Sequence, residues 1–153
     1  MNFQTMNKQR KFILIAAAAG VLGILLPWVS YGPYGSGNGL HGWGTLLFLL
    51  FIAAGAVCLM GNQTLPLDKT YWFTALAAGG INSIIMIITV LQVLNIIGMY
   101  SIGFYLTWSA SMGLLYYAWQ YRRPGDDVKS GFDSLKGDIN KKVNSGPTST
   151  TNM

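Results

Sequence analysis

The chain contains no glutamate. Five aspartates are its only acids, and it holds one cysteine and one histidine in 153 residues. So few carboxylates leave little material for paired general acid–base chemistry. A lone cysteine, Cys58, excludes an intramolecular disulfide. With His41 the only histidine, no Cys/His set from one chain can hold a structural zinc. Charge is scarce throughout: 10% of residues are Asp, Glu, Lys or Arg, against about 25% in an average soluble domain. On these grounds we expect no cofactor, no metal, no nucleic acid and no evident small-molecule substrate. The chain does not read as an enzyme.

What is present is apolar: 52% of the residues are hydrophobic, and they are gathered into runs. Residues 12–30, 43–60, 71–97 and 104–121 carry no charged side chain. Each is about the length that crosses a hydrocarbon core as a helix. The first run is long for a signal-peptide core and lacks a clear small-x-small cleavage site, so it is expected to be retained. A glycine-rich stretch, 31–42, reads as a loop, and 61–70 as a short polar connection. The fold class expected is all-α: a transmembrane bundle of four helices at 12–121, preceded by a cytoplasmic N-terminal segment, 1–11, and followed by a cytoplasmic tail, 122–153.

Charge placement orients that bundle. Lys8, Arg10 and Lys11 precede the first run, Asp68 and Lys69 lie between the second and third, and all remaining charges follow Tyr121. The alternate connections, 31–42 and 98–103, hold none. Lysine and arginine collect in cytoplasmic segments, so both termini are expected inside, with four crossings. Trp28, Tyr31, Tyr34, Trp43, Tyr100 and Tyr105 would form an outer aromatic belt. Tyr71, Trp72, Tyr116, Tyr117, Trp119 and Tyr121 would form the inner one. Asn62–Gln63–Thr64 would then face the cytoplasm and remain unglycosylated.

The absence of charge within the runs argues against a proton relay, a voltage sensor or ion-coupled transport by this chain alone. The polar residues of the third run are Asn82, Gln92 and Asn95. Asn82 and Gln92 are separated by about 280° around a helix, so they share no tight stripe. Small residues recur at four-residue spacing: Ala16 and Gly20; Ala19 and Gly23; Ala75, Gly79 and Ser83; Ser109 and Gly113. Such spacing allows helices to approach closely, within one chain or between copies. Asn82, Gln92, Ala75, Gly79 and Ser83 are therefore candidates for helix packing or for facing a pore. Gly35, Gly37 and Gly39 have no preceding strand and no following Lys-Ser/Thr pair, so they do not make a phosphate loop. His41 reads as an interfacial polar residue and Cys58 as a small packing residue.

Beyond Arg122, Arg123 and Pro124, the segment 126–143 places Val128, Phe132, Leu135, Ile139 and Val143 on one stripe of an amphipathic helix. Asp126 and Asp127 at its start and Lys141 and Lys142 near its end suit the helix dipole. The stripe is the candidate surface for docking to membrane or partner. The final residues, from 145, read as disordered.

Leu26–Pro27–Trp28 closing the first run, then the glycine-rich loop and Gly42–Trp43–Gly44, resemble the pattern of small uncharacterised four-pass membrane proteins of bacteria. That resemblance implies a location in the bacterial inner membrane. Claudin-like proteins are unlike this chain, which has Gly39–Leu40–His41, a short loop and no cysteine pair there. The function expected is a non-enzymatic, self-assembling or accessory subunit of a membrane complex, partnered by the lipid bilayer and by itself or another membrane protein. The alternative is an oligomeric pore former, holin-like or an effector channel, lined by Asn82, Gln92, Thr89 and serines.

Overall fold

The computed structural model describes residues 3–30, 32–92 and 100–144. The chain is all-α apart from one small hairpin, with five α-helices among the described residues. Helix α1 spans Lys8–Leu25. Asn7 starts it by accepting the Gln9 backbone N–H at 3.0 Å, which satisfies one of the first-turn amides. The helix stops before Pro27, because proline disfavours helical backbone at the residue before it. Leu26 is extended, and strand β1, Pro27–Ser30, follows. The first apolar run is therefore not helical to Ser30 as expected. Its last residues pair antiparallel with β2, Ser36–Asn38, in the register Pro27↔Asn38, Val29↔Gly37 and Ser30↔Ser36.

Helix α2 spans Trp43–Leu59. Its N-cap, Gly42, has φ +61°, a left-handed conformation that side chains disfavour. Helix α3 spans Lys69–Gln92 and α4 spans Ile102–Gln120. The end of the third run, 93–97, lies outside the described residues, as do Asn95, Tyr31 and the tail from 145. Helix α5 spans Val128–Asn144, shifted slightly from the expected 126–143. Asp127 and Ser130 cap it reciprocally: the Ser130 hydroxyl accepts the Asp127 N–H and donates to the Asp127 side chain.

The first four helices close on themselves: α1 packs on α2 and α4, and α3 packs on the same two. Ile13, Ile24, Leu47, Phe51, Trp72, Met86, Phe104 and Leu114 fill the centre. Helix α5 packs on α3.

Among the described residues one helix, Lys69–Gln92, is long and apolar enough to cross a membrane. Trp43–Leu59 is apolar but shorter. The other expected spans do not reach that standard as helices. Lys8, Arg10 and Lys11 fall inside α1, while serine, threonine and aromatic residues dilute α4.

Candidate functional site

Three features could carry function: a polar layer inside the bundle, a charged end, and the apolar ridge of α5.

The polar layer lies between α3 and α4. Gly79 brings the two helices together: a Cβ there would sit 2.9 Å from the Leu115 amide nitrogen. One turn on, the Ser83 hydroxyl donates to the Ser111 carbonyl at 3.3 Å. Thr107 and Ser111 donate back to carbonyls four residues earlier in their own helix. Asn82 is fully buried, and among the described residues neither its amide nitrogen nor its oxygen has a partner. The Trp108 indole N–H is likewise unpaired. Ala75, Gly79, Asn82 and Ser83 thus share the inner side of α3. Gln92 does not join them: it is exposed and borders a small cleft with Trp43, Ile88 and Thr89.

The small-residue pairs mostly serve packing within the chain. A Cβ on Gly20 would strike the Phe51 ring, and one on Gly23 would lie 2.6 Å from the Thr107 hydroxyl. A Cβ on Gly103 would meet the Gly23 carbonyl at 2.7 Å. These positions hold α1 against α2 and α4. By contrast, Ala16, Ala19, Ser109 and Gly113 border an open furrow between α1 and α4.

At the uncharged end, β2 of the glycine-rich loop pairs with β1, and the Gly39 N–H donates to the Ile24 carbonyl at 2.9 Å. The hairpin continues into α4's entry, where the Ser101 N–H donates to the Trp28 carbonyl at 2.8 Å. The Trp28 indole donates to the Gly23 carbonyl at 3.0 Å and meets Phe104 edge-on. His41 is exposed beside Trp43.

The charged end collects the start of α1, the end of α2, the start of α3 and the end of α4. Arg10 is its centre. Only 2% exposed, it donates from Nη1 to the Cys58 and Met60 carbonyls at 3.0 and 2.6 Å, and from Nε to Leu65 at 2.8 Å. The last carbonyls of α2 have no partner within their own helix and carry the negative end of its dipole. Arg10 supplies both donor and charge. Gln9 accepts the Leu67 N–H at 2.9 Å. Arg123 donates to the Pro66 carbonyl and pairs with Asp68 at 3.5 Å. The expectation of a separate polar N-terminal segment to residue 11 is corrected: Lys8 already begins α1, and Gln9 and Arg10 are core. Arg10, Ile13, Ala17, Gly20 and Ile24 recur at helical spacing on the buried face.

Aromatic side chains line this end. Phe12 stacks on Tyr117 and Tyr121 at centroid distances of 4.9 and 5.7 Å, and the Arg122 guanidinium lies 4.0 Å over Trp119. Trp72 is a correction to the expected belt. It is fully buried, and its indole donates to the Ala118 carbonyl at 2.7 Å. Cys58 is buried and free.

Helix α5 rests on the start of α3. Gly131 is buried against Phe73, the Phe132 ring meets Phe73 edge-on at 6.3 Å, and Thr70 donates to Asp138 at 2.8 Å. An open groove of about 460 Å³ separates the two helices, bordered by Asp68, Tyr71, Leu135, Asp138, Lys141 and Lys142. The expected stripe is only partly used. Leu135 is half-buried, whereas Val128, Phe132, Ile139 and Val143 are 50, 56, 53 and 72% exposed.

Among the described residues no group of three or more His, Cys, Asp or Glu side chains could hold a metal. Compared with known proteins, the chain matches no family model, no curated protein and no solved structure.

Proposed function

We propose that the chain is a non-enzymatic integral membrane protein. It crosses the bilayer four times with both ends on the cytoplasmic side, and serves as a small self-assembling or accessory subunit of a membrane complex. One observation carries this reading: the bundle exposes large apolar side chains over its outer surface, while a few polar ones are buried within its apolar core. Leu22 on α1, Leu49 on α2, Ile84 and Leu91 on α3, and Met112 and Tyr116 on α4 all point outward and are exposed. Asn82, Ser83, Thr107 and Ser111 point inward and are buried. Soluble monomers rarely expose continuous apolar surface on this scale; lipid would cover it without cost.

Charge supports the same reading. The end held by Arg10, Asp68, Lys69 and Arg123 faces the cytoplasm under the positive-inside bias, and the hairpin end is free of charge among the described residues. Helices of 17 to 24 residues are about 26–36 Å long. The shorter ones match a thin hydrocarbon core or local thinning around the protein. The inner membrane of a bacterium is the location implied by the resemblance of the first two apolar segments to small four-pass membrane proteins of bacteria.

The second reading, an oligomeric pore former, draws on fewer residues. Asn82 and Ser83 are buried within one bundle, leaving Gln92 and Thr89 at an outer cleft. Purification in mild detergent separates the two. A discrete oligomer or a co-purifying membrane protein, without conductance in planar bilayers, supports the subunit. Reproducible ion conductance by the isolated chain supports the pore.

A further inference from the structure

Helix α5 presents three distinct flanks. One is seated on α3 through Gly131, Leu135 and Asp138. Next to it runs the exposed ridge of Val128, Phe132, Ile139 and Val143. Beyond the ridge, about 60° further around at 100° per residue, lie Lys129 and Lys136, both exposed.

The four lysines and four aspartates of 126–143 balance in number but not in space. Asp126 is buried and accepts the Arg123 N–H, Asp127 accepts from Ser130, and Asp138 accepts from Thr70. Asp133 lies about 110° from the ridge, beyond the two lysines, which stand between it and the ridge. The side of the ridge away from α3 is therefore bordered by cations.

Depth is set by α3. Phe73, which Phe132 and Gly131 contact, is one turn further into α3 than Lys69, and the contacts then step back through Tyr71 to Thr70 and Asp68. The start of α5 is thus level with Phe73, and Asp138 meets Thr70 less than one turn of α3 further out.

From this arrangement we propose that α5 is a lipid-surface helix. Its ridge lies in the boundary between headgroups and acyl chains of the cytoplasmic leaflet, and Lys129 and Lys136 reach the phosphates of anionic lipids. An apolar ridge flanked by lysines is the form that interfacial helices take, because the long lysine stems cover apolar surface while the ammonium stays at the phosphate level. The proposal rests on the four-pass reading. It identifies anionic lipid as the partner of a surface that the bundle itself leaves uncovered.

Spin labels on the full chain, in a Cys58→Ala background and reconstituted in nanodiscs, test it. Labels at Ile139→Cys (ridge), Gly137→Cys (far side, about 150° from the ridge and with open space around a Cβ) and Leu49→Cys (bundle exterior) are compared for collision with oxygen and with a water-soluble nickel chelate. In phosphatidylcholine containing phosphatidylglycerol, the labels at 49 and 139 should collide mainly with oxygen, and that at 137 with nickel. Phosphatidylcholine alone, or Lys129→Ala with Lys136→Ala, should shift 139 toward water, each lysine lowering the docked-to-free ratio about fivefold. If 139 is aqueous while 49 is in lipid, the surface-helix proposal fails and the four-pass reading stands. If 139 is shielded from both reagents, a protein covers the ridge and the proposal is overturned. Equal immersion of 139 in both lipids would overturn the role of anionic headgroups. An aqueous label at 49 would remove the membrane reading and the proposal with it.

Discussion

Arg10, in the first turn of α1, donates from Nη1 to the Met60 carbonyl at 2.6 Å, closing the end of a helix fifty positions further along the chain. With the bonds to Cys58 and Leu65, this one side chain joins α1, α2 and the connection to α3. Charge-assisted hydrogen bonds of this kind contribute about 1.5–3 kcal/mol each. Arg10→Ala should therefore lower stability by about 3 kcal/mol or more. Arg10→Lys should recover only part of it, since an ammonium cannot reproduce the planar fork. Thermal unfolding in detergent measures both; equal midpoints for wild type and Arg10→Ala would remove the clamp from the account.

Neighbouring glycines on α3 should respond in opposite ways. Gly79 abuts the Leu114–Leu115 backbone of α4, whereas nothing lies within 4 Å of a Cβ at Gly80. Gly79→Ala should cost about 1–3 kcal/mol through forced separation of the helices. Gly80→Ala should be neutral or stabilise by up to about 1 kcal/mol. The two unfolding midpoints, read side by side, check the close approach.

Asn82 has no hydrogen-bond partner among the described residues although it is fully buried. Replacing an unpaired buried amide with a similar-sized apolar side chain removes a desolvation penalty of about 1–3 kcal/mol. Asn82→Leu should hold or raise stability and leave assembly intact. A destabilised protein would show that a bound water or polar group satisfies the amide; loss of ion conductance would instead favour the pore reading.

Phe132 and Leu135 attach α5 through Phe73 and the α3 groove. Phe132→Asp with Leu135→Asp should release the helix and leave the four bundle helices folded. Limited trypsin digestion should then cut at Lys129 and Lys136 at least tenfold faster, taking about 1.4 kcal/mol as a factor of ten. Unchanged cleavage would mean that α5 is a tethered linker.

The long apolar runs, the amphipathic tail and the positions of α2 and α4 were legible in the sequence because helical periodicity and run length report burial directly. Two features were not. Residues 27–30 belong to an uncharged run, yet the strand depends on pairing with Ser36–Asn38 and on Trp28 reaching Gly23, which are contacts across the chain. Arg10 reads as a flanking cation because charge usually marks the edge of an apolar helix. Its burial depends on carbonyls of α2 and of the connection after it, which no local pattern reveals. Of the α3 candidates, Ala75, Gly79, Asn82 and Ser83 face inward, while Gln92 lies on another side of the helix and is exposed.

In the four-pass arrangement proposed above, the uncharged hairpin end and the Arg10 end lie on opposite sides of a membrane, with the C-terminus on the Arg10 side. Paired topology reporters, one active only outside and one only inside, fused at residues 37, 65 and 153, measure this directly. An external signal is expected at 37 and internal signals at 65 and 153. An external signal from the C-terminus, or internal signals from all three, would contradict it.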